Sequence, residues 1–156
     1  MPDLLWEDVK AFFDADTMGA LPDIIVEDTS EADWEALLDL VRSQRWVWAY
    51  GEVDPDQSLP SPSVLLSGSS ETLSVWPAPG FQVNFFPYSP ESILFDVDLR
   101  ELQGQPGLDL LCDLLRLIGR NLGKPVLMSA EMDVGHPFLW FDVDTDAVVM
   151  LPTGSL

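Results

Sequence analysis

Apolar positions along the first third of the chain alternate between helical and strand spacing. In residues 3–13, Leu5, Val9, Phe12 and Phe13 recur at helical intervals with acidic residues early, where a helix dipole favours them, so a short amphipathic helix is predicted. Asp23–Val26 is short and β-branched, and Pro22 before it suits the start of an edge strand. Ser30-Glu31-Ala32-Asp33 has the form of a capping box with Asp in place of Glu. Trp34, Leu37, Leu38 and Val41 follow as one stripe, which predicts a helix over 31–43. The aromatic, β-branched run Trp46–Tyr50 predicts a strand buried on at least one face. Residues 52–63, with three prolines and three acids, read as an exposed loop.

Four strand-like runs follow, Val64–Leu66, Thr72–Trp76, Phe81–Phe86 and Ser92–Leu99, separated by turn-forming residues at hairpin spacing. In the last run Ile93, Phe95, Val97 and Leu99 alternate with Leu94, Asp96 and Asp98, so Asp96 and Asp98 are expected at the surface. After Pro106, a good first helical residue, Leu108, Leu111, Cys112, Leu115, Ile118, Gly119 and Leu122 mark a long helix that stops at Gly123-Lys124-Pro125. Leu110, Leu114 and Leu117 widen its apolar surface, which predicts packing on more than one side. Three further strands are predicted at Val126–Met132, Phe138–Val143 and Ala147–Leu151. The whole, residues 1–156, reads as one α+β domain. Its largely antiparallel sheet of about six to eight strands packs against the long helix of the C-terminal half and two N-terminal helices.

Composition narrows the function. The chain has 156 residues, 47% of them hydrophobic, with six Trp and eight Phe, enough to build a core without disulfides or a structural metal. Its one cysteine, Cys112, lies among leucines, which argues against a disulfide framework. The N-terminus lacks a basic segment leading into an apolar stretch, and a cytoplasmic location is expected. Twenty-seven acidic residues against seven basic ones give a net charge of −20, which repels nucleic acid and anionic membrane and attracts basic partners. Residues 1–78 carry 16 acids and three bases, and residues 79–156 carry 11 and four. The acids Asp28, Glu31 and Glu35 around the start of the second helix, and Glu52, Asp54 and Asp56 in the proline-rich loop, are therefore the first candidates for docking a cationic partner. Trp76, beside Pro77 and Pro79, is the candidate aromatic anchor.

Patterns for catalysis or metal binding are incomplete. Asp142, Asp144 and Asp146 alternate as in a calcium loop, but Ala147 and Thr153 stand where that loop needs Gly and Glu, so a hairpin turn is expected. Glu131, Asp133 and His136 fall within six residues without a further ligand or a nucleophile. No phosphate-cradling glycine loop and no nucleophile elbow are present in the sequence. Neither a metal nor a cofactor is expected.

Three segments in order, residues 30–50, 81–102 and 110–133, followed by a Phe/Trp-Asp hairpin, resemble bacterial immunity proteins of polymorphic toxin systems. The likeness lies in Phe95, Val97 and Asp98 followed by Glu101-Leu102, and in Gly119, Leu122, Lys124, Val126 and Glu131 around the end of the long helix; it spans residues 30–144. The resemblance implies a non-enzymatic protein, a monomer or weak dimer, that binds and neutralises a cognate basic toxin domain. It carries over no site residues. The alternatives are an acidic adaptor or secretion-chaperone-like module, and an enzyme using Glu131, His136 and the Asp142–Asp146 turn.

Overall fold

The computed structural model describes residues 2–52, 58–68, 71–133 and 135–151. Its eight strands are β1 (Asp23–Glu27), β2 (Val47–Tyr50), β3 (Leu73–Ala78), β4 (Phe81–Phe86), β5 (Ser92–Val97), β6 (Val126–Ser129), β7 (Leu139–Asp142) and β8 (Ala147–Met150). They form one sheet in the order β2-β3-β4-β5-β1-β6-β7-β8, with every neighbouring pair antiparallel. The helices are α1 (Trp6–Val9), α2 (Ala15–Met18), α3 (Glu31–Gln44), α4 (Pro62–Leu65) and α5 (Gly104–Leu122), with a 3-10 turn at Lys10–Phe13 and another at Leu99–Glu101. None of these helices is long and apolar enough to cross a membrane.

Two crossovers explain why the helices share one face of the sheet. From β1 the chain passes through α3 to β2, and from β5 it passes through α5 to β6; each crossover joins two strands that run the same way. Right-handed crossovers of these senses place both helices on the same side. There α3 and α5 lie antiparallel: Asn121 Nδ2 donates to the Ala36 carbonyl at 2.8 Å, and Lys124 pairs with Asp33 at 3.0 Å. The sheet residues beneath them form a continuous row across the strands, Tyr50, Leu73, Phe85, Phe95, Ile24, Met128 and Leu139, all buried. Trp34, Leu37, Leu38 and Val41 of α3 and Leu108, Leu111, Leu115 and Ile118 of α5 close the core from above.

The α+β class and the long helix match the reading of the sequence, as does the capping box, in which both Ser30 and Asp33 engage the backbone. Other elements differ. The helix predicted over residues 3–13 is broken into α1 and a 3-10 turn, because Val9 leaves helical geometry, and a further turn, α2, follows beyond it, where Asp14 is extended and caps the turn. One-turn helices have little stability of their own, so burial of Val9 and Phe13 decides the path of the chain. Val64–Leu66 is not a strand: Ser61 caps the turn and Pro62 sits at its first position, giving α4. Asp23–Glu27 is interior to the sheet rather than an edge, since Pro22 falls outside the hydrogen-bonded ladder. The true edge on that side is β2, where Val47 is 65% exposed.

Gly119 fixes the distance between α5 and the sheet. A Cβ there would fall within the Phe141 ring of β7. Gly119→Ala therefore gains about 1 kcal/mol of helix propensity but loses about 1–3 kcal/mol by overpacking. A net fall in the urea midpoint with an unchanged slope is the expected result.

Candidate functional site

Burial alternates along the strands because the described helices cover only one face of the sheet: Phe81, Val83 and Phe85 of β4 are buried, whereas Gln82, Asn84 and Phe86 are half-buried. On the outer face, register carries an apolar row through six adjacent strands, Phe86, Leu94, Ile25, Leu127, Trp140 and Val149, every member half-buried. Five strand spacings make this row about 24 Å long. Tyr88, 72% exposed, stacks on Phe86 with ring centroids 5.8 Å apart and prolongs it. Outward apolar side chains in this number are unusual for a solvated sheet face.

A polar row runs alongside. Ser74, Asn84, Asp96, Asp23 and Ser129 occupy successive strands in register. Ser74 Oγ and Gln82 Nε2 both donate to Asn84 Oδ1 at 2.8 Å, and Asn84 Nδ2 donates to Asp96 Oδ1 at 3.1 Å. Asp96, expected at the surface, is only 9% exposed, its short side chain lying between Asn84 and Asp23 in the ladder and accepting from Asn84. Burial raises its pKa above the ordinary 3.8. The Asn84 hydrogen bond opposes the rise, and repulsion by Asp23, Asp98 and Glu131 adds to it. A carboxyl held above its unfolded pKa binds its proton more tightly when folded, so its contribution to stability falls as pH rises through the folded pKa. Asp96→Asn keeps an acceptor for Asn84 and removes a like charge directly opposite Asp23. It is expected to stabilise the protein at neutral pH by up to about 1 kcal/mol, with no gain at pH values low enough to protonate the acid. Urea unfolding at the two pH values measures the difference.

No basic residue lies on any of the eight strands. The outer face instead carries Glu27 and Asp142 beyond one edge of the apolar row, and Asp23 and Asp96 along the other. Elsewhere, among the described residues, six cations are engaged by carboxylates: Lys10 by Glu7, Arg42 by Asp39, Arg100 by Asp98, Arg116 by Asp3 and Asp113, Arg120 by Asp146, and Lys124 by Asp33.

The described acids singled out from the sequence fall in two places, Asp28, Glu31 and Glu35 around the start of α3 and Glu52 after β2. Asp28, in the left-handed conformation, follows β1; Glu31 and Glu35 are exposed on the first turns of α3. Glu52 follows β2 at the same end of the sheet, but β1 and β2 are four strand positions apart, about 19 Å. Asp54 and Asp56 lie outside the described residues. Trp76 is half-buried near the opposite end of β3, where Trp46, Val47, Trp76, Pro77 and Pro79 line an apolar groove of about 570 Å³.

The remaining polar clusters have structural partners. Glu131 Oε1 accepts from the Leu21 amide at 2.8 Å and fastens the chain entering β1, while His136 Nδ1 lies 3.0 Å from Asp133 Oδ1. No described hydrogen bond joins Glu131 to His136. Asp142 accepts from the Asp144 amide at 3.0 Å, as hairpin turns require, and Arg120 grips Asp146 through two hydrogen bonds that hold its carboxyl below the usual range. Among the described residues no three His, Cys, Asp or Glu side chains are grouped to hold a metal. Cys112 lines a small cavity with Asp3 and Arg116; burial, reinforced by Asp3, pushes its thiol up to about 12, so it stays protonated at neutral pH. The outer apolar row was the feature that sequence reasoning missed. Its signal is the unbroken apolar runs Ile93-Leu94-Phe95, Val126-Leu127-Met128 and Leu139-Trp140-Phe141, which put bulk on both faces of a strand.

Comparison with known protein families, with curated proteins and with solved structures finds no match to this chain.

Proposed function

We propose that this chain is a non-catalytic, stoichiometric binding protein that neutralises a cationic protein partner by covering part of its surface, as an immunity protein does to a basic toxin domain. The observation that carries this reading is the distribution of charge: a net charge of −20, a sheet without one basic side chain, and six cations engaged by carboxylates among the described residues. The uncompensated field faces outward, repels anionic polymers and accelerates encounter with a basic surface. The resemblance to immunity proteins of polymorphic toxin systems points the same way.

Affinity capture from a native lysate at low salt, followed by a salt series and mass spectrometry, tests the reading. A single basic protein at near-equal stoichiometry, released as salt rises, is expected. Retention of nothing at low salt by folded protein, or of an acidic partner held equally at high salt, contradicts it.

An adaptor or secretion-chaperone-like module is the second reading, favoured by the outward apolar row from Phe86 to Val149. Such modules are often obligate dimers joined through apolar surface. Sedimentation separates the two, since a neutralising protein of this charge is expected to be monomeric when free.

A further inference from the structure

The apolar row on the outer face lies between two lines of carboxylates. Ile25, Leu127, Trp140 and Val149 form its centre; Glu27 and Asp142 stand on one side, Asp23 and Asp96 on the other. Asp23 and Asp96 face each other directly across β1 and β5, and no strand supplies a cation to either. Asp96 is buried and accepts from Asn84, and half-buried Asp23 accepts from the Met132 amide at 3.2 Å, but neither carboxylate meets a cation on the sheet. Like charges opposed across a ladder are unfavourable, so a cationic side chain arriving from outside at Asp23 offsets the repulsion between them. Burial of the apolar row beneath the same partner adds the desolvated centre that protein interfaces use, with Glu27, Asp142 and Asp23 as a polar rim.

We infer that this outer sheet face is the docking surface for the cationic partner, and that the partner presents aliphatic or aromatic side chains set among Lys or Arg. The inference rests on the proposed binding of a basic protein and assigns that binding a place. Other occupants fit the charges less well. A second copy of this chain would bring four carboxylates against four with no base on either face, and anionic lipid or nucleic acid meets the same repulsion. A face about 24 Å long on strands of four to six residues, about 14–20 Å, covers roughly 330–480 Å², about half of the roughly 800 Å² per partner of a standard interface, so the partner also engages the surrounding loops.

Two synthetic probes, oligolysine and a peptide alternating Lys with Leu, test the surface by titration into isotopically labelled full-length protein at low salt. The alternating peptide is expected to bind about tenfold more tightly, with amide shifts at Ile25, Leu94, Leu127, Trp140 and Val149. Leu127→Lys is expected to weaken it by at least about tenfold while leaving the circular dichroism unchanged, and Trp140→Ser by a comparable factor with the sheet still folded. Leu127 and Trp140 project from the uncovered face, so two independent variants guard against loss of fold. Shifts confined to the Glu31–Glu35 turn or to residues 52–56 overturn the surface and leave a cationic partner standing. No binding of either peptide overturns both. Concentration-dependent self-association through the same amides, without peptide, overturns the assignment in favour of a homodimer.

Discussion

Trp34→Ala is expected to destabilise the fold by about 3–5 kcal/mol, the range for removing a fully buried aromatic side chain. Trp34 is wholly buried and is the largest of the fully buried side chains. It sits near the capped start of α3, and its indole N–H donates to the Ser89 carbonyl at 3.1 Å, in the connection between β4 and β5. Truncation opens a cavity between α3 and the sheet and leaves that carbonyl without its donor. Trp34→Phe retains most of the packing and loses the hydrogen bond, so a smaller loss of about 1–2 kcal/mol is expected. Urea unfolding followed by circular dichroism measures both. A loss below about 1 kcal/mol for the alanine variant would mean that α3 is not held to the sheet through this residue.

The largest functional effect is expected from ionic strength. If a field of net charge −20 steers a basic partner, raising salt from low to roughly 0.5 M shortens the Debye length to a few ångströms and slows association by about a hundredfold, with dissociation changing much less. Reversing Glu27 and Asp142 together to Lys should lower the low-salt association rate about tenfold and barely alter the high-salt rate. Both acids border the outer apolar row on the uncovered face of the sheet. Stopped-flow fluorescence with the captured partner reads these rates. Equal rates for the wild type and the double reversal at low salt would remove this border from the encounter.

Local patterns carried much of the fold. The capping box at Ser30 and Asp33, the stripe on α3, the apolar positions of α5 and the left-handed Gly123 at its end are all encoded within a few residues, and each is found where the sequence places it. Positions set by distant parts of the chain were less legible. Asp96 alternates with apolar residues as a surface residue would, yet its neighbours in the ladder, Asn84 and Asp23, come from strands 12 and 73 residues away in sequence. The central place of β1 depends on two crossovers that no local signal specifies. The same holds for the candidate surface: Phe86, Leu94, Ile25, Leu127, Trp140 and Val149 become one row only through strand order and register. Acidic clusters are visible in the sequence as runs, and so they drew attention to Asp28, Glu31, Glu35 and Glu52, of which the last follows a strand four positions away from the one that leads to the other three.

Calorimetric titration of this protein with its captured partner, at low and at moderate salt, tests most directly whether it acts by binding. The expected result is an equimolar endpoint, an affinity that falls as salt rises, and a partner recovered chemically unchanged. A partner that is altered by far less than one equivalent of this protein, or an equimolar complex whose affinity is the same at both salt concentrations, would contradict it.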